Sequence, residues 1–315
     1  MTPRNLIWIQ SLPASAKSAL LKDVCFAGTH DSAAYVNMNS RVLLDGEPFF
    51  SDLVRKFTPV TANLLYHQVN KWTKTQDTSI YKQFANGIRY LDLRIAYSSK
   101  KKQYYTLHSF AMVPLHEALN DIKRFATLYP NELLIIDLSL YYTLQDDVKG
   151  QRAIDYILSW LSNHIYVRGE NDSKNMFNTK SINDIVGSGK NILMLENKYA
   201  QKSLQFQESQ IYDRWIDTNS PEVKIEGLEE QLQLFVPSSG QTYLMEWTLT
   251  PQVAQILGDI GGSLKKMSAK FHSLLPKFLV DNETNVYKIG IIAVDYESNI
   301  DLADIVMSLN NVKFN

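Results

Sequence analysis

The sequence lacks several features that mark whole classes of protein. Its 315 residues include one cysteine, Cys25, which excludes an internal disulfide and a cysteine-based zinc site. Cys25 lies in an apolar run, so we interpret it as a small buried hydrophobic residue. No stretch reaches the roughly 18 uninterrupted apolar residues of a membrane-spanning helix. The formal net charge is −1, which argues against nucleic acid as a partner.

The amino terminus lacks the pattern of a secretory signal. Its apolar run stops at Gln10, which is too short for the hydrophobic core of a signal peptide. There is no terminal lipidation motif either. We therefore expect a cytoplasmic protein or one that is peripheral at a membrane. Export without a cleaved signal is the alternative that this pattern leaves open.

Linker-like segments are absent as well. No Pro/Gly/Ser-rich or low-complexity tract divides the chain, and 45% of its residues are hydrophobic, enough for a sizeable core. We expect a single domain over residues 1–315. The longest stretch without a recognisable pattern is residues 37–78, which we interpret as a lid, a helical insertion or a partner site.

Short apolar runs alternate with helical patterns along the chain. The predicted strands are Asp23–Ala27, Tyr90–Ile95, Leu133–Leu138, Asn191–Leu195, Thr242–Trp247 and Ile289–Val294. The predicted helices are Ser79–Asn86, Pro114–Tyr129, Gln151–Leu161, Pro251–Leu257 and Asp301–Leu309. This alternation predicts an α/β fold with a largely parallel sheet. Because the strands are continuously apolar, both faces of the sheet should be buried, and a closed barrel satisfies both conditions.

Charged and polar side chains follow several of these strands. His30 and Asp31 come after the first, Asp92 and Arg94 end the second, and Asp295 follows the last. In a parallel barrel the carboxyl ends of the strands meet at one face, where catalytic groups gather. Asp137 also ends a strand; it either orients a histidine or caps the next helix, and the spacing favours neither use.

Two histidines have contexts that suit phosphodiester chemistry. His30 lies in the small polar turn Gly28–Ser32, and His108 ends the run Tyr104–Leu107. Two imidazoles can divide the work of base and acid, and the guanidinium of Arg94 can grip a phosphate. A purely structural pair between Asp92 and Arg94 is the alternative. The other histidines lack such contexts, and we interpret them as structural or solvated: His67, His116, His164 and His272.

These motifs, in this order, resemble the catalytic X domain of phosphatidylinositol-specific phospholipases C. The small X-domain-only proteins and the bacterial enzymes are the most similar members. The resemblance spans about residues 6–310 and rests on Phe26–Ser32, Gly87–Arg94, Leu107–Ser109, Pro130–Asp137, Leu249–Pro251 and Ile292–Tyr296. It implies a distorted, partly open TIM-like barrel.

The resemblance also implies roles for individual residues. His30 would be the general base for the inositol 2-hydroxyl, and Asp295 would hold its tautomer. His108 would be the general acid for the departing diacylglycerol oxygen, supported by Asp31, while Arg94 would neutralise the phosphate. The products would be diacylglycerol and inositol 1,2-cyclic phosphate. Candidate contacts to the headgroup are Lys198, Glu246 and Asp92, and a merely solvated Lys198 is the alternative.

The same resemblance predicts catalysis without a metal or other cofactor. Calcium-dependent members carry an asparagine after the first histidine and carboxylates at the positions of Asp92 and Arg94. Here Asp31 replaces the asparagine, Arg94 replaces a carboxylate, and Ser139 stands near another carboxylate position. Calcium needs six to eight oxygen ligands, and an arginine in the cavity repels it.

A lipid substrate implies transient contact with a membrane surface. Aromatic side chains near predicted loops are candidates for that contact, although burial in the core is the competing interpretation: Trp72, Phe49, Phe50, Tyr141 and Tyr142.

Two other functions stay open. One is a metal-dependent glycerophosphodiesterase or sphingomyelinase D-like phosphodiesterase, and the other is a catalytically silent module that binds a lipid or a protein.

Overall fold

The computed structural model describes residues 3–37, 42–46 and 67–314. Most of the stretch expected to be a lid or insertion, residues 37–78, therefore lies outside the described residues. So do Phe49 and Phe50, two of the aromatic candidates for membrane contact.

One ten-stranded, mostly parallel sheet forms the centre of the fold. Its strands are β1 Phe26–Thr29, β2 Tyr90–Ser98, β3 Gln103–His108, β4 Phe110–Pro114, β5 Leu134–Leu140, β6 Ile192–Leu195, β7 Phe206–Gln207, β8 Ile211–Tyr212, β9 Thr242–Trp247 and β10 Ile289–Val294. Their order across the sheet is β7-β6-β5-β2-β1-β10-β9-β8. Strands β3 and β4 form an antiparallel hairpin on β2.

Helices pack around this sheet. They are α1 Pro3–Leu6, α2 Trp8–Ser11, α3 Ala14–Ser18, α4 (residues 67–73), α5 Ile80–Ala85, α6 Leu115–Leu128, α7 Asp147–Leu161, α8 Ile182–Val186, α9 Asn197–Ala200, α10 Pro221–Leu234, α11 Val253–Gly258, α12 Leu264–His272, α13 Leu275–Asp281 and α14 Leu302–Phe314. Among the described residues, no helix combines the length and the apolar character needed to cross a bilayer.

The sheet curls into a barrel that stays open between β7 and β8. These two edge strands have two residues each, and within the described part of the chain no ladder joins them. The partly open TIM-like barrel is thus confirmed, whereas full closure of the sheet was wrong. Strands this short expose few backbone groups, so the open edge needs little protection.

The continuous apolar runs are buried on both faces, as expected for parallel strands. All residues of β1, β6, β9 and β10 are buried. The first strand begins at Phe26 rather than at Asp23, because Leu21–Asp23 form a 3-10 turn. A side chain at Gly28 would lie 2.8 Å from the Tyr90 ring, so glycine permits the close pairing of β1 with β2. Cys25 is fully buried, and burial raises the pKa of its thiol to about 11.

Arg89 directly precedes β2 and Arg94 lies within it, and of the two only Arg94 faces the site. The guanidinium of Arg89 is fully buried and pairs with Glu132, with 2.7 Å between Nη2 and Oε2. The carboxylate of Glu132 also accepts hydrogen bonds from the backbone of Ile9 and Gln10. This arginine therefore fastens the amino-terminal helices to the barrel.

Candidate active site

The carboxyl ends of three parallel strands and the end of one hairpin strand meet at one mouth of the barrel. His30 and Asp31 follow β1, Arg94 lies in β2, His108 ends β3, and Asp295 follows β10. Strand register explains the meeting, because Thr29 pairs with both Val294 and Leu91. All five side chains line a cavity of about 170 Å³.

The ring of His30 is held from one side and faces the cavity with the other. Its Nδ1 lies 2.9 Å from Oδ1 of Asp295. Because an ionised carboxylate only accepts, Nδ1 carries the proton of this bond, which leaves Nε2 to face Asp31 at 3.3 Å. The buried His272 ring in turn contacts the backbone carbonyl of Asp295 at 2.7 Å, a structural role as expected.

The second imidazole is arranged in the same way. Nδ1 of His108 lies 2.7 Å from the backbone carbonyl of Thr73, which can only accept. Nε2 is therefore directed to the cavity and lies 3.4 Å from Oδ2 of Asp31. The centroids of the two imidazole rings are 6.2 Å apart.

Asp31 sits between three groups that carry or can carry positive charge. Its Oδ2 lies within ion-pair distance of both Nε2 atoms, and its Oδ1 is 2.9 Å from Nε of Arg94. The side chain is fully buried, and neither carboxylate oxygen makes a well-aligned hydrogen bond. Coulombic attraction to its neighbours thus compensates for the burial of this charge.

Arg94 supplies a permanent cation beside both histidines. Its Nη2 donates to Oδ2 of Asp92 at 2.8 Å, and its Nε donates to Oδ1 of the same residue at 3.2 Å. Burial lowers the pKa of this guanidinium, but Asp92 and Asp31 outweigh that effect and raise it. The side chain is about one quarter exposed, so an anion entering the cavity can still reach it.

A second cavity, of about 330 Å³, adjoins the first and shares His30 and Arg94 with it. Its lining is mainly polar: Tyr90, Asp92, Asp137, Ser139, Tyr141, Asn197, Ser209, Asp213 and Glu246 contribute most of it. The first cavity has an apolar side instead, built by Trp215, Leu249, Pro251 and Leu264. His108 lines only the first cavity.

Two carboxyls of the second cavity differ from ordinary surface acids. Burial, followed by the charge of Asp92, raises the pKa of Asp137 to about 7. Its oxygen accepts hydrogen bonds from Tyr90 and Ser209, so it neither orients a histidine nor caps a helix. Burial raises the pKa of Glu246 to about 8, so this candidate headgroup contact is mostly protonated at neutral pH and can donate a hydrogen bond.

One candidate headgroup residue lies elsewhere. The ammonium of Lys198 binds the Asp147 carboxylate, 2.5 Å away, and the Gln145 carbonyl, so placing it in the headgroup site was wrong. It belongs to α9, where the preceding Asn197 faces the cavity and Lys198 turns outward. Sequence reasoning also missed Ser209, Asp213 and Trp215, which flank the two-residue strand β8.

Of the three aromatic candidates for membrane contact among the described residues, one is buried and two are half-buried. Trp72 is buried against Leu264 and Tyr296. Tyr141 and Tyr142 are half-buried and pack on the cluster around Tyr105. The competing interpretation, packing in the core, therefore holds for Trp72.

Backbone strain is concentrated beside the site. Asp31, Ser109 and Tyr296 have φ angles of 42°, 59° and 48°, in the left-handed region. Each directly follows a residue of the site, namely His30, His108 or Asp295. Such conformations cost of order 1–3 kcal/mol each and persist only where the surroundings enforce them.

Three potential metal ligands also meet here. Within the described residues, His30, Asp31 and Asp92 form the one group whose ligand atoms lie within 4.8 Å of one another. The guanidinium of Arg94 already contacts both carboxylates of that group. A divalent cation bound there would be repelled by the guanidinium of Arg94 or would have to displace it.

We expect His30 to be an imidazolium at neutral pH in the substrate-free protein. Burial lowers the pKa of His30, but Asp31 and Asp295 together raise it to about 10. A raised pKa means that its stabilising contribution is complete below about pH 6.5 and is lost as the pH rises through about 10. Nitrogen-15 NMR of the histidine rings measures this titration, with His30→Gln to assign the signal. Titration of His30 below pH 7 would contradict the expectation.

The family model described as "Phosphatidylinositol-specific phospholipase C, X domain" matches residues 54–185. That span includes Asp92, Arg94 and His108, whereas His30 and Asp295 lie outside it. Two curated proteins are similar over most of the chain. The mouse PI-PLC X domain-containing protein 2 is 26% identical, covering 98% of this chain and 88% of its own length. The variant-surface-glycoprotein phospholipase C of Trypanosoma cruzi is 28% identical, covering 79% of this chain and 67% of its own length.

Solved structures share the fold over nearly the whole chain. The phosphatidylinositol-specific phospholipase C of Listeria monocytogenes superposes with a TM-score of 0.62 at 18% identity, covering 97% of this chain and 98% of that one. A double mutant of the Staphylococcus aureus enzyme gives 0.64 at 16% identity, covering 97% of each chain. The sequence is thus similar to the phosphatidylinositol-specific phospholipase C X domain, and the chain shares the fold of the bacterial enzymes.

Proposed function

We propose that this protein is a metal-independent phospholipase C that cleaves phosphatidylinositol-type lipids to diacylglycerol and inositol 1,2-cyclic phosphate. One observation carries the proposal. Two imidazoles with fixed tautomers, His30 and His108, face the same carboxylate of Asp31, beside the guanidinium of Arg94. The match to the X-domain family model and the phospholipase C named among its relatives support the same reaction class.

The two adjoining cavities suggest how the lipid is oriented. The inositol ring occupies the polar second cavity, where Glu246, Asp92 and Asp137 can bind its hydroxyl groups. The glycerol and its acyl chains leave through the first cavity, past its apolar side. The phosphate then lies where the cavities meet, against Arg94. His30 lines both cavities and can reach the headgroup, whereas His108 lines only the leaving-group side.

The reaction balances with these residues alone. Nε2 of neutral His30 takes the proton of the inositol 2-hydroxyl, and that oxygen forms a bond to phosphorus. The bond from phosphorus to the glycerol oxygen breaks, and protonated His108 gives its Nε2 proton to the departing oxygen. Ring closure gains from proximity because the nucleophile belongs to the substrate. Arg94 stabilises the charge that develops on the phosphoryl oxygens.

The protonation of His30 limits this scheme below about pH 10, neutral pH included. Asp31 and Asp295 favour its imidazolium form, so only the neutral fraction can act as the base. The same charges stabilise the imidazolium that forms when the 2-hydroxyl gives up its proton. Asp31 thus lowers the population of the active form and also stabilises the product of the proton transfer.

Arg94 distinguishes this proposal from a metal-dependent phosphodiesterase. The cluster of His30, Asp31 and Asp92 is the observation that favours a metal enzyme. Its two carboxylates, however, both contact the guanidinium of Arg94, which provides the positive charge that a metal would bring. Chelator sensitivity therefore separates the two functions.

Incubation of the protein with phosphatidylinositol in EGTA and EDTA tests the proposal. We expect phosphorus-31 NMR to show a cyclic phosphodiester, and we expect His30→Ala and His108→Ala each to lower the rate by about 10²–10⁴-fold, the usual contribution of one acid–base group. His67→Ala is the matched control because His67 is exposed and does not line either cavity.

Two results would contradict the proposal. Activity that requires an added divalent cation would favour the metal-dependent phosphodiesterase. Binding of phosphatidylinositol vesicles without turnover, by protein whose unfolding transition is cooperative, would favour a silent lipid-binding module.

The rim of the first cavity offers a surface for the membrane. The segment between Pro251 and Leu264 has both ends in the cavity lining, and its Val253 and Ile260 side chains are 62% and 78% exposed. Lys71 donates a hydrogen bond to the Ile260 carbonyl and brings positive charge to the same rim. We propose that this segment docks on the bilayer that holds the substrate.

Replacement of Ile260 tests the docking surface. We expect Ile260→Glu to weaken binding to phosphatidylinositol-containing vesicles by about tenfold or more, because burying an isoleucine is worth roughly 1.5–3 kcal/mol. Val312→Glu is the control. Val312 is 79% exposed, but it lies near the end of α14, away from the site. Its neighbour Lys313 contacts Ile289, the first residue of β10, whereas the site follows the last residue of that strand. Vesicle sedimentation measures both variants, and equal losses would contradict the docking surface.

A further inference from the structure

A short segment that takes no part in the proposed reaction contacts both histidines of the site. It consists of residues 73–76, from the last residue of α4 into the connection to α5, and we call it the brace. Thr75 and Gln76 are fully buried, and Thr73 is nearly so. Its one ionisable residue, Lys74, lines neither cavity, and no step of the proposed reaction draws a proton from the segment.

The brace holds the His108 ring through its backbone. The Thr73 carbonyl accepts the hydrogen bond from Nδ1 of His108 at 2.7 Å. This contact fixes the tautomer of His108. The partner of Nδ1 is here a backbone carbonyl, whereas Nδ1 of His30 has a carboxylate as its partner. On the outer side of the brace, Trp72 is buried against Leu264 and Tyr296, which anchors this carbonyl.

Thr75 holds two of the strained backbone positions. Its hydroxyl donates to the Asp31 carbonyl at 2.9 Å, and its own carbonyl accepts from the Tyr296 amide at 2.7 Å. Asp31 and Tyr296 are left-handed residues next to His30 and Asp295. One threonine therefore enforces both conformations that aim the base and its carboxylate partner.

Gln76 joins the ends of β1 and β10. Its Nε2 donates to the His30 and Val294 carbonyls, at 3.0 Å each, and its Oε1 accepts from the Glu297 amide at 3.2 Å. One buried side-chain amide thus ties together the strand ends that carry His30 and Asp295, in addition to the backbone hydrogen bond from His30 to Val294. Together, the three residues contact His30, Asp31, His108 and the neighbours of Asp295.

We infer that the brace is a positioning segment that sets the relative placement of the two imidazoles, and that Thr75 is its principal side chain. The inference rests on the proposed function, because it assigns a purpose to the alignment of His30 and His108. A segment that only stabilised the fold would have no reason to bond selectively at the strained residues beside the site.

A pair of variants at Thr75 tests the inference. Thr75→Val keeps the shape and removes the hydroxyl that binds the Asp31 carbonyl, whereas Thr75→Ser keeps the hydroxyl. With phosphatidylinositol as substrate, we expect Thr75→Val to lower kcat by about 10–100-fold with little change in KM, as a small misplacement of catalytic groups does. Thr75→Ser should retain nearly the wild-type kcat. Thr242→Val, at another buried threonine of the sheet, is the control and should leave kcat unchanged.

Nitrogen-15 NMR of the histidine rings gives a readout that does not depend on activity. We expect Thr75→Val to shift the ring signals of His30 and His108, whereas Thr75→Ser and Thr242→Val should leave them in place. If wild-type protein turns over no phosphatidylinositol, the proposed function fails, and these signals still decide whether the brace positions the rings.

The inference is overturned if Thr75→Val keeps both the wild-type kcat and the wild-type ring signals, or if Thr75→Ser loses as much as Thr75→Val. Should Thr75→Val fail to fold, Gln76→Glu decides, because it preserves size and removes both donors to the His30 and Val294 carbonyls. Unchanged ring signals in folded Gln76→Glu would then overturn it.

Discussion

A single buried carboxylate, that of Asp31, sits among the groups on which the proposed chemistry depends. One of its oxygens lies 3.3 Å from Nε2 of His30 and 3.4 Å from Nε2 of His108, and the other lies 2.9 Å from Arg94. A buried charge is tolerated only with such partners, so the three groups are drawn together around it. That clustering puts the proposed base, the proposed acid and the proposed phosphate-binding cation within reach of one phosphorus atom.

The fold delivers these groups because parallel strands end at the same face of the barrel. The backbone turns sharply beside three of these groups, as the left-handed residues after His30, His108 and Asp295 show. Strain of this kind needs support from outside the strands. Residues 73–76 provide it at Asp31 and Tyr296 through hydrogen bonds to the turns, and they also bind the His108 ring. Rigid strands and a buried brace together pre-organise the site before substrate arrives.

Sequence patterns predicted the strands that are long and apolar, and the side chains that those strands position. They gave Thr242–Trp247 and Ile289–Val294 with their observed bounds, and they placed His30 and Arg94 at the correct face. Two-residue strands such as β8 leave no periodic signal, so Asp213 and Trp215 were missed. Lys198 was misassigned because one residue of register in a short helix decides between cavity and solvent. The brace was invisible because its bonds join residues far apart in the chain.

The division of labour between the two imidazoles is most directly tested by changing the leaving group. In a p-nitrophenyl ester of inositol phosphate, the leaving group is p-nitrophenolate, which departs without protonation. The diacylglycerol oxygen, in contrast, needs a proton from an acid. We expect His108→Ala to lose about 10²–10⁴-fold on phosphatidylinositol but little on the activated ester, while His30→Ala loses similarly on both. Equal losses on both substrates for His108→Ala would contradict the assignment of base and acid around Asp31.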